Sequence, residues 1–177
     1  MSTLPLLSSA HSAITFEDVF TLHSIDPEGK KYDRVSRLFA HSHAFDMDLV
    51  LDFHTEVFPL RQGESVTVVL AKSLQKGLYE DEKPLNAKPE EGKDGEGKKK
   101  EKEQASWRVD GPVGLEEYFD YVCYGKVYRF DEGVGEKVTA YISFGGLLMT
   151  LSGSYRNMGT ITVGTYTYLL MRKTLLT

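Results

Sequence analysis

One cysteine, one tryptophan and six prolines among 177 residues leave several protein classes without their raw material. A lone thiol, Cys123, cannot close an intramolecular disulfide, so a cross-linked scaffold is excluded. The longest apolar runs, Gly145 to Leu148 and Tyr166 to Met171, fall far short of the ~20 residues that carry a helix across a bilayer. No membrane partner is expected. The N-terminal stretch lacks the basic flank, apolar run and small-residue cleavage site of a secretory signal, which points to a reducing compartment, cytosol or nucleus. Basic residues are outnumbered too: 21 Lys and Arg face 26 Asp and Glu, for a net charge of -5. Such a balance argues against general affinity for nucleic-acid phosphate, while leaving room for a local basic strip.

Helical periodicity is equally scarce. No window sustains an apolar i, i+3, i+4, i+7 stripe beyond one or two turns, whereas period-two alternation recurs. Phe16, Phe20 and Leu22 share a parity and run into Asp26-Pro27-Glu28-Gly29, whose Pro and Gly suit a turn. The clearest strand is Phe45 to Phe53: Phe45, Met47, Leu49, Leu51 and Phe53 take one face, Asp46, Asp48 and Asp52 the other. Further strands are expected over Ser65 to Ala71, Tyr118 to Phe130, Lys137 to Phe144, Leu147 to Ser152 and Tyr166 to Lys173, with Gly and Pro between them. The pattern predicts an all-β fold of about eight antiparallel strands closed into a barrel or sandwich. At 177 residues one core suffices. Residues 1–13 read as a flexible tail and 14–177 as a single domain, interrupted by a charged loop at 80–106 with hardly an apolar residue, which cannot offset its ordering entropy by burial.

Catalytic constellations are missing. No Gly-x-Ser-x-Gly elbow, His-Glu-x-x-His helix or phosphate-binding glycine loop occurs, and Gly145-Gly146 is explained by a bulge or tight hairpin. Cys123 sits among Tyr and Val, surroundings that raise a thiol pKa rather than activate it. His41 and His43 would share a strand face, but no further soft ligand is near in sequence, so no metal site is expected. No cofactor is implied. The densest basic cluster outside the charged loop is Lys30, Lys31, Arg34 and Arg37. As a strand it would aim two cations to each side, enough for weak, sequence-tolerant single-strand contact; pairing of Arg34 and Arg37 with carboxylates is favoured over phosphate.

Six blocks, in order, resemble the family of small β-barrel subunits shared by the nuclear RNA polymerases I, II and III. They are Phe16-Glu17-Asp18-Val19-Phe20, the run from Asp26 to Arg37, Met47 to Asp52, Tyr121 to Tyr128, Ser143 to Met149, and Tyr168 to Lys173. In that family position 123 is commonly Met. The resemblance implies an eight-stranded barrel related to the OB-fold with two roughly symmetric halves. It further implies a non-catalytic subunit docked mainly on the largest polymerase subunit beside other core subunits, in nucleus and nucleolus. A free-standing OB-type module that binds single-stranded nucleic acid is the alternative, because such barrels pair basic grooves with aromatic platforms.

Overall fold

The computed structural model describes residues 13–74, 114–133 and 135–174. Within them eight strands pair antiparallel throughout: β1 (Ile14–Ile25), β2 (Val35–Ser42), β3 (Met47–His54), β4 (Ser65–Ala71), β5 (Tyr121–Glu132), β6 (Lys137–Phe144), β7 (Leu147–Ser154) and β8 (Tyr166–Thr174). They close as β1-β2-β3-β7-β6-β5-β8-β4, which leaves no sheet edge to template aggregation. Opened at the β3–β7 and β4–β8 seams, the ring falls into β4-β1-β2-β3 and β8-β5-β6-β7. Each half has the Greek-key order. Both seams join equivalent strands, so the topology has the two-fold internal repetition that the resemblance implied.

Alternation puts one face of each strand inside. On β3, Met47, Leu49, Leu51 and Phe53 are all at most 1 % exposed, each contributing about 2 kcal/mol by burial. Phe45, expected on that face, is a correction: it lies 46 % exposed in the hairpin loop before β3. Asp46 there has φ 52°, and a left-handed residue cannot continue an extended strand. β5 likewise begins three residues later than expected, because Leu115–Tyr118 winds into a 3-10 turn. Between β6 and β7 the two-residue loop Gly145-Gly146 has φ 63° and 101°, the doubly positive pair a tight hairpin needs and glycine supplies without strain. A short helix, α1 (Tyr155–Met158), follows β7, and Met158 with Ile161 packs into the barrel core.

β4 departs from alternation: all seven of its residues are buried. Val66, Val68 and Leu70 face the barrel, while Val69 and Ala71 join Leu170 of β8 in a second cluster with Leu74 and Leu115. The amide of Leu115 donates to the carbonyl of Leu74 at 2.7 Å. Thus the chain leaves and re-enters the barrel at one place. The barrel also takes in Ala13, 2 % exposed, whose carbonyl accepts from Lys72. The expected tail at 1–13 is thereby corrected at Ala13, which belongs to the barrel; residues 1–12 and the charged loop at 80–106 lie outside the described residues.

Because Leu74 and Leu115 are already bonded, the length of chain between them should matter little to stability. Shortening residues 80–104 to half their number is expected to move the urea-unfolding free energy by under about 1 kcal/mol, since each halving of a loop changes closure entropy by ~0.6 kcal/mol. A loss of several kcal/mol would refute this.

Candidate docking groove and nucleic-acid interface

The turn after β1 shapes a broad concavity. Asp26 takes φ 45° and Gly29 φ 93°, and the Gly29 amide donates to the Asp26 carbonyl at 2.9 Å. Asp26 also grips β2: its Oδ1 accepts from the Arg37 amide at 2.7 Å, and its own amide donates to the Arg37 carbonyl at 2.9 Å. Residues 30–34 therefore arch away from the barrel rather than extending β2. At the far end, the Arg34 carbonyl accepts from the Thr55 amide at 2.9 Å. The arch walls a groove of ≈650 Å³, with Val35, Phe39, Leu147 and Leu148 on its apolar side.

Of the four cations expected at a nucleic-acid contact, the structure gathers three here. Lys31, Arg34 and Arg37 line the groove, while Lys30 does not. The expected strand geometry, two cations to each side, is corrected: only Arg37 lies in a strand, because the positive φ at Asp26 and Gly29 takes the intervening residues out of extended register. The three line one concavity. Each is paired with a carboxylate of this barrel. Lys31 Nζ meets Glu28 at 3.1 Å and Arg34 meets Glu56 at 3.6 Å, both well exposed. Arg37 makes the strong pair: Nε and one terminal nitrogen donate to the two oxygens of Asp52, at 2.7 and 3.0 Å. That bidentate hydrogen bonding raises the Arg37 pKa. Asp52, its carboxylate only 12 % exposed, also accepts from the Leu148 amide at 3.2 Å. With Asp26, Glu28 and Asp52 lining it beside the three cations, the groove is electrically balanced. It suits a polar, partly apolar ligand better than a phosphate chain.

These pairs differ in worth. Exposed ion pairs contribute ~0–1 kcal/mol, so Arg34→Gln should leave stability within about 0.5 kcal/mol. Arg37→Gln strips the partner from a mostly buried carboxylate and should cost about 1–2 kcal/mol. Urea midpoints of the two variants measure the gap, and equal midpoints would contradict this ranking.

Asp48, the register partner of His41, bonds to His41 Nδ1 at 2.9 Å and to Lys137 Nζ at 3.2 Å. The His41 hydrogen bond holds its carboxyl below the usual range against desolvation, and Lys137 adds to the effect. A lowered folded pKa gives stability that is complete above the ordinary Asp value of ~3.9 and fades as pH falls below it. Asp48→Asn should therefore be within about 1 kcal/mol of wild type at pH 7, with the gap shrinking as pH falls below ~3.9. A gap that widened in acid would refute the assignment.

His41 and His43 sit edge to face at 5.0 Å between ring centres, although His43 lies in the hairpin loop rather than on the strand. Among the described residues no group of three His, Cys, Asp or Glu could hold a metal ion. Cys123 is half-buried against the core, and desolvation raises its pKa. Its neighbour Tyr121 is pushed up by burial in the same way and accepts a hydrogen bond from the His54 amide at 3.3 Å. Neither is poised as a nucleophile.

Sequence reasoning missed β2 and with it the Arg37–Asp52 pair. The inward set of β2 is Ser36, Leu38, Ala40 and Ser42, half of it hydroxylic, whereas Val35 and Phe39 face out. That inversion hides the alternation. The signal available was the hairpin: once β2 and β3 are joined across residues 43–46, register alone sets Arg37 opposite Asp52.

Architecture and groove together define a small Greek-key β-barrel that presents a binding surface. The model of the family described as RNA polymerase Rpb8 matches residues 17–173, and the chain belongs to that family. It is 38 % identical, over 92 % of its length and 98 % of the relative's, to a Caenorhabditis elegans protein named probable DNA-directed RNA polymerases I, II, and III subunit RPABC3. It is 35 % identical to subunit 8B of RNA polymerases II, IV and V of Arabidopsis thaliana, covering 93 % of this chain and 99 % of that one. To subunit RPABC3 of Saccharomyces cerevisiae it is 34 % identical, covering 89 % and 97 %.

Proposed function

We propose that this chain is a non-catalytic structural subunit common to RNA polymerases I, II and III, docked mainly on the largest subunit, in the nucleus and, with polymerase I, the nucleolus. The observation that carries the reading is the extent of the family match. It runs from β1 to β8, so it takes in both Greek-key halves rather than one motif. The balanced groove supports it as well, since carboxylates occupied by Arg and Lys favour a protein surface over free phosphate.

The experiment is purification of the tagged full chain at moderate salt with identification of what accompanies it. Largest subunits of all three polymerases are expected. A lone chain that binds oligothymidylate would favour the single-strand module. In that case contact through the three cations that line the groove, Lys31, Arg34 and Arg37, gives a log-log salt slope near about -2.1.

A further inference from the structure

A second surface is built from tyrosine. On the outer face of β5 and β8, Tyr124 opposes Tyr168 and Lys126 opposes Tyr166 in register. The Tyr124 and Tyr168 rings are 4.6 Å apart, and Tyr124 stacks on Tyr166 at 5.5 Å with planes 10° from parallel. Further along β5, Tyr128 meets Tyr141 of β6 at 6.1 Å. Tyr124, Tyr128 and Tyr166 remain 50 %, 47 % and 53 % exposed.

Single exposed aromatics are ordinary on a protein surface. Five of them in two ring-contact groups on three neighbouring strands are not, and tyrosine is among the side chains most enriched at interface centres. Register also makes the strip continuous with the groove. Lys126 pairs with Ser143, Ser143 with Leu148, and Leu148 lies beside Asp52, the partner of Arg37. One row of side chains thus spans six strands.

Charge chooses the occupant. Arg129 at the strip's edge is neutralised by Asp131 at 2.7 Å. The Lys126 ammonium lies 5.3 Å from the Tyr166 ring centre and has no carboxylate partner among the described residues. Covering it without a counter-ion would strand a cation among aromatic rings. The Tyr166 hydroxyl beside it can donate to a carboxylate or carbonyl oxygen. A nucleic-acid strand would need several cations in a row, and the strip offers one unpaired ammonium.

We propose that the strip of Tyr124, Tyr128, Tyr166 and Tyr168 around Lys126 is the barrel's docking face for an acidic segment of a polymerase subunit, with a carboxylate of that segment seated on Lys126. The inference rests on the subunit reading above. Its test uses the tagged full chain in cells, comparing wild type with Lys126→Glu, Lys126→Arg and the double variant Tyr124→Ser/Tyr166→Ser. Thermal unfolding is followed on each. Lys126→Glu and the tyrosine pair should lower recovery of polymerase largest subunits more than tenfold, while Lys126→Arg keeps it within about twofold. Lys126→Glu alters only an exposed chain, so it keeps the test decisive should the double variant fail to fold. A photo-crosslinking residue at position 128 should capture a polymerase peptide bearing Asp or Glu.

Full recovery by folded Lys126→Glu would overturn the docking face and leave the subunit reading standing. Wild type that recovers no polymerase subunit would overturn both. Crosslinks to this chain itself, to a second copy or to a basic peptide would also defeat the proposal. So would loss of oligothymidylate binding by the tyrosine variant with polymerase recovery unchanged.

Discussion

Leu51→Asp is expected to abolish folding, and with it incorporation into any assembly. Leu51 is 1 % exposed at the middle of β3, opposite Leu38 on one side and Met149 on the other. It thus stands at the β3–β7 seam that joins the two halves. An aspartate there would lose about 2 kcal/mol of apolar burial and leave a charge with no partner in the core, for several kcal/mol more. Domain stabilities are typically about 5–15 kcal/mol, so the sum removes most or all of the margin. Asp48→Asn, one strand face away, should stay soluble and near wild type. Circular dichroism and soluble yield of the two variants provide the measurement. A cooperative, wild-type-like melt for Leu51→Asp would show that the inward face of β3 has been misassigned.

Gly125→Ala should also destabilise the barrel strongly without abolishing folding, although alanine is the smallest change available. A methyl at Gly125 would lie 2.3 Å from the Ser143 carbonyl oxygen, 2.9 Å from its carbon and 2.5 Å from Cδ1 of Phe144. Phe144 can rotate, but the Ser143 backbone cannot retreat without breaking the ladder in which Lys126 opposes Ser143. Overpacking against backbone costs about 3 kcal/mol or more, a fall of roughly 6–12 °C in Tm for a chain of this size. Gly63→Ala separates this from the ordinary cost of glycine replacement. Gly63 has φ 86° with nothing near the new methyl, so only backbone strain of roughly 1 kcal/mol applies. Gly125→Ala melting at or above Gly63→Ala would contradict the clash.

How much of this was legible depended on whether a residue's role follows from its own neighbours in sequence. Met47, Leu49, Leu51 and Phe53 sort themselves by parity, because a strand turns successive side chains to opposite faces whatever it pairs with. Lys137–Phe144 was readable to the residue for the same reason, and so was Ser65–Ala71. β2 was not, since its outward face carries Val35 and Phe39 while Ser36 and Ser42 point in. Nor was the burial of both faces of β4, which is decided by Leu74 and Leu115 arriving over it from outside the barrel.

The candidate surfaces divide in the same way. Residue types alone placed cations at Lys30, Lys31, Arg34 and Arg37, yet their partners Glu28, Asp52 and Glu56 and their common groove came from the arch that follows Asp26. The tyrosine strip draws on β5 and β8, whose stacked Tyr124 and Tyr166 are 42 positions apart by their numbering. The all-β class, most strand faces, the turns and the family are legible from residue order, because these are encoded locally or in ordered blocks. Which strands adjoin, why Gly125 admits no side chain, and how Lys126 comes to lie among four tyrosines emerge in the folded barrel alone. Those depend on barrel closure and register, which set residues from distant segments about 5 Å apart across a ladder.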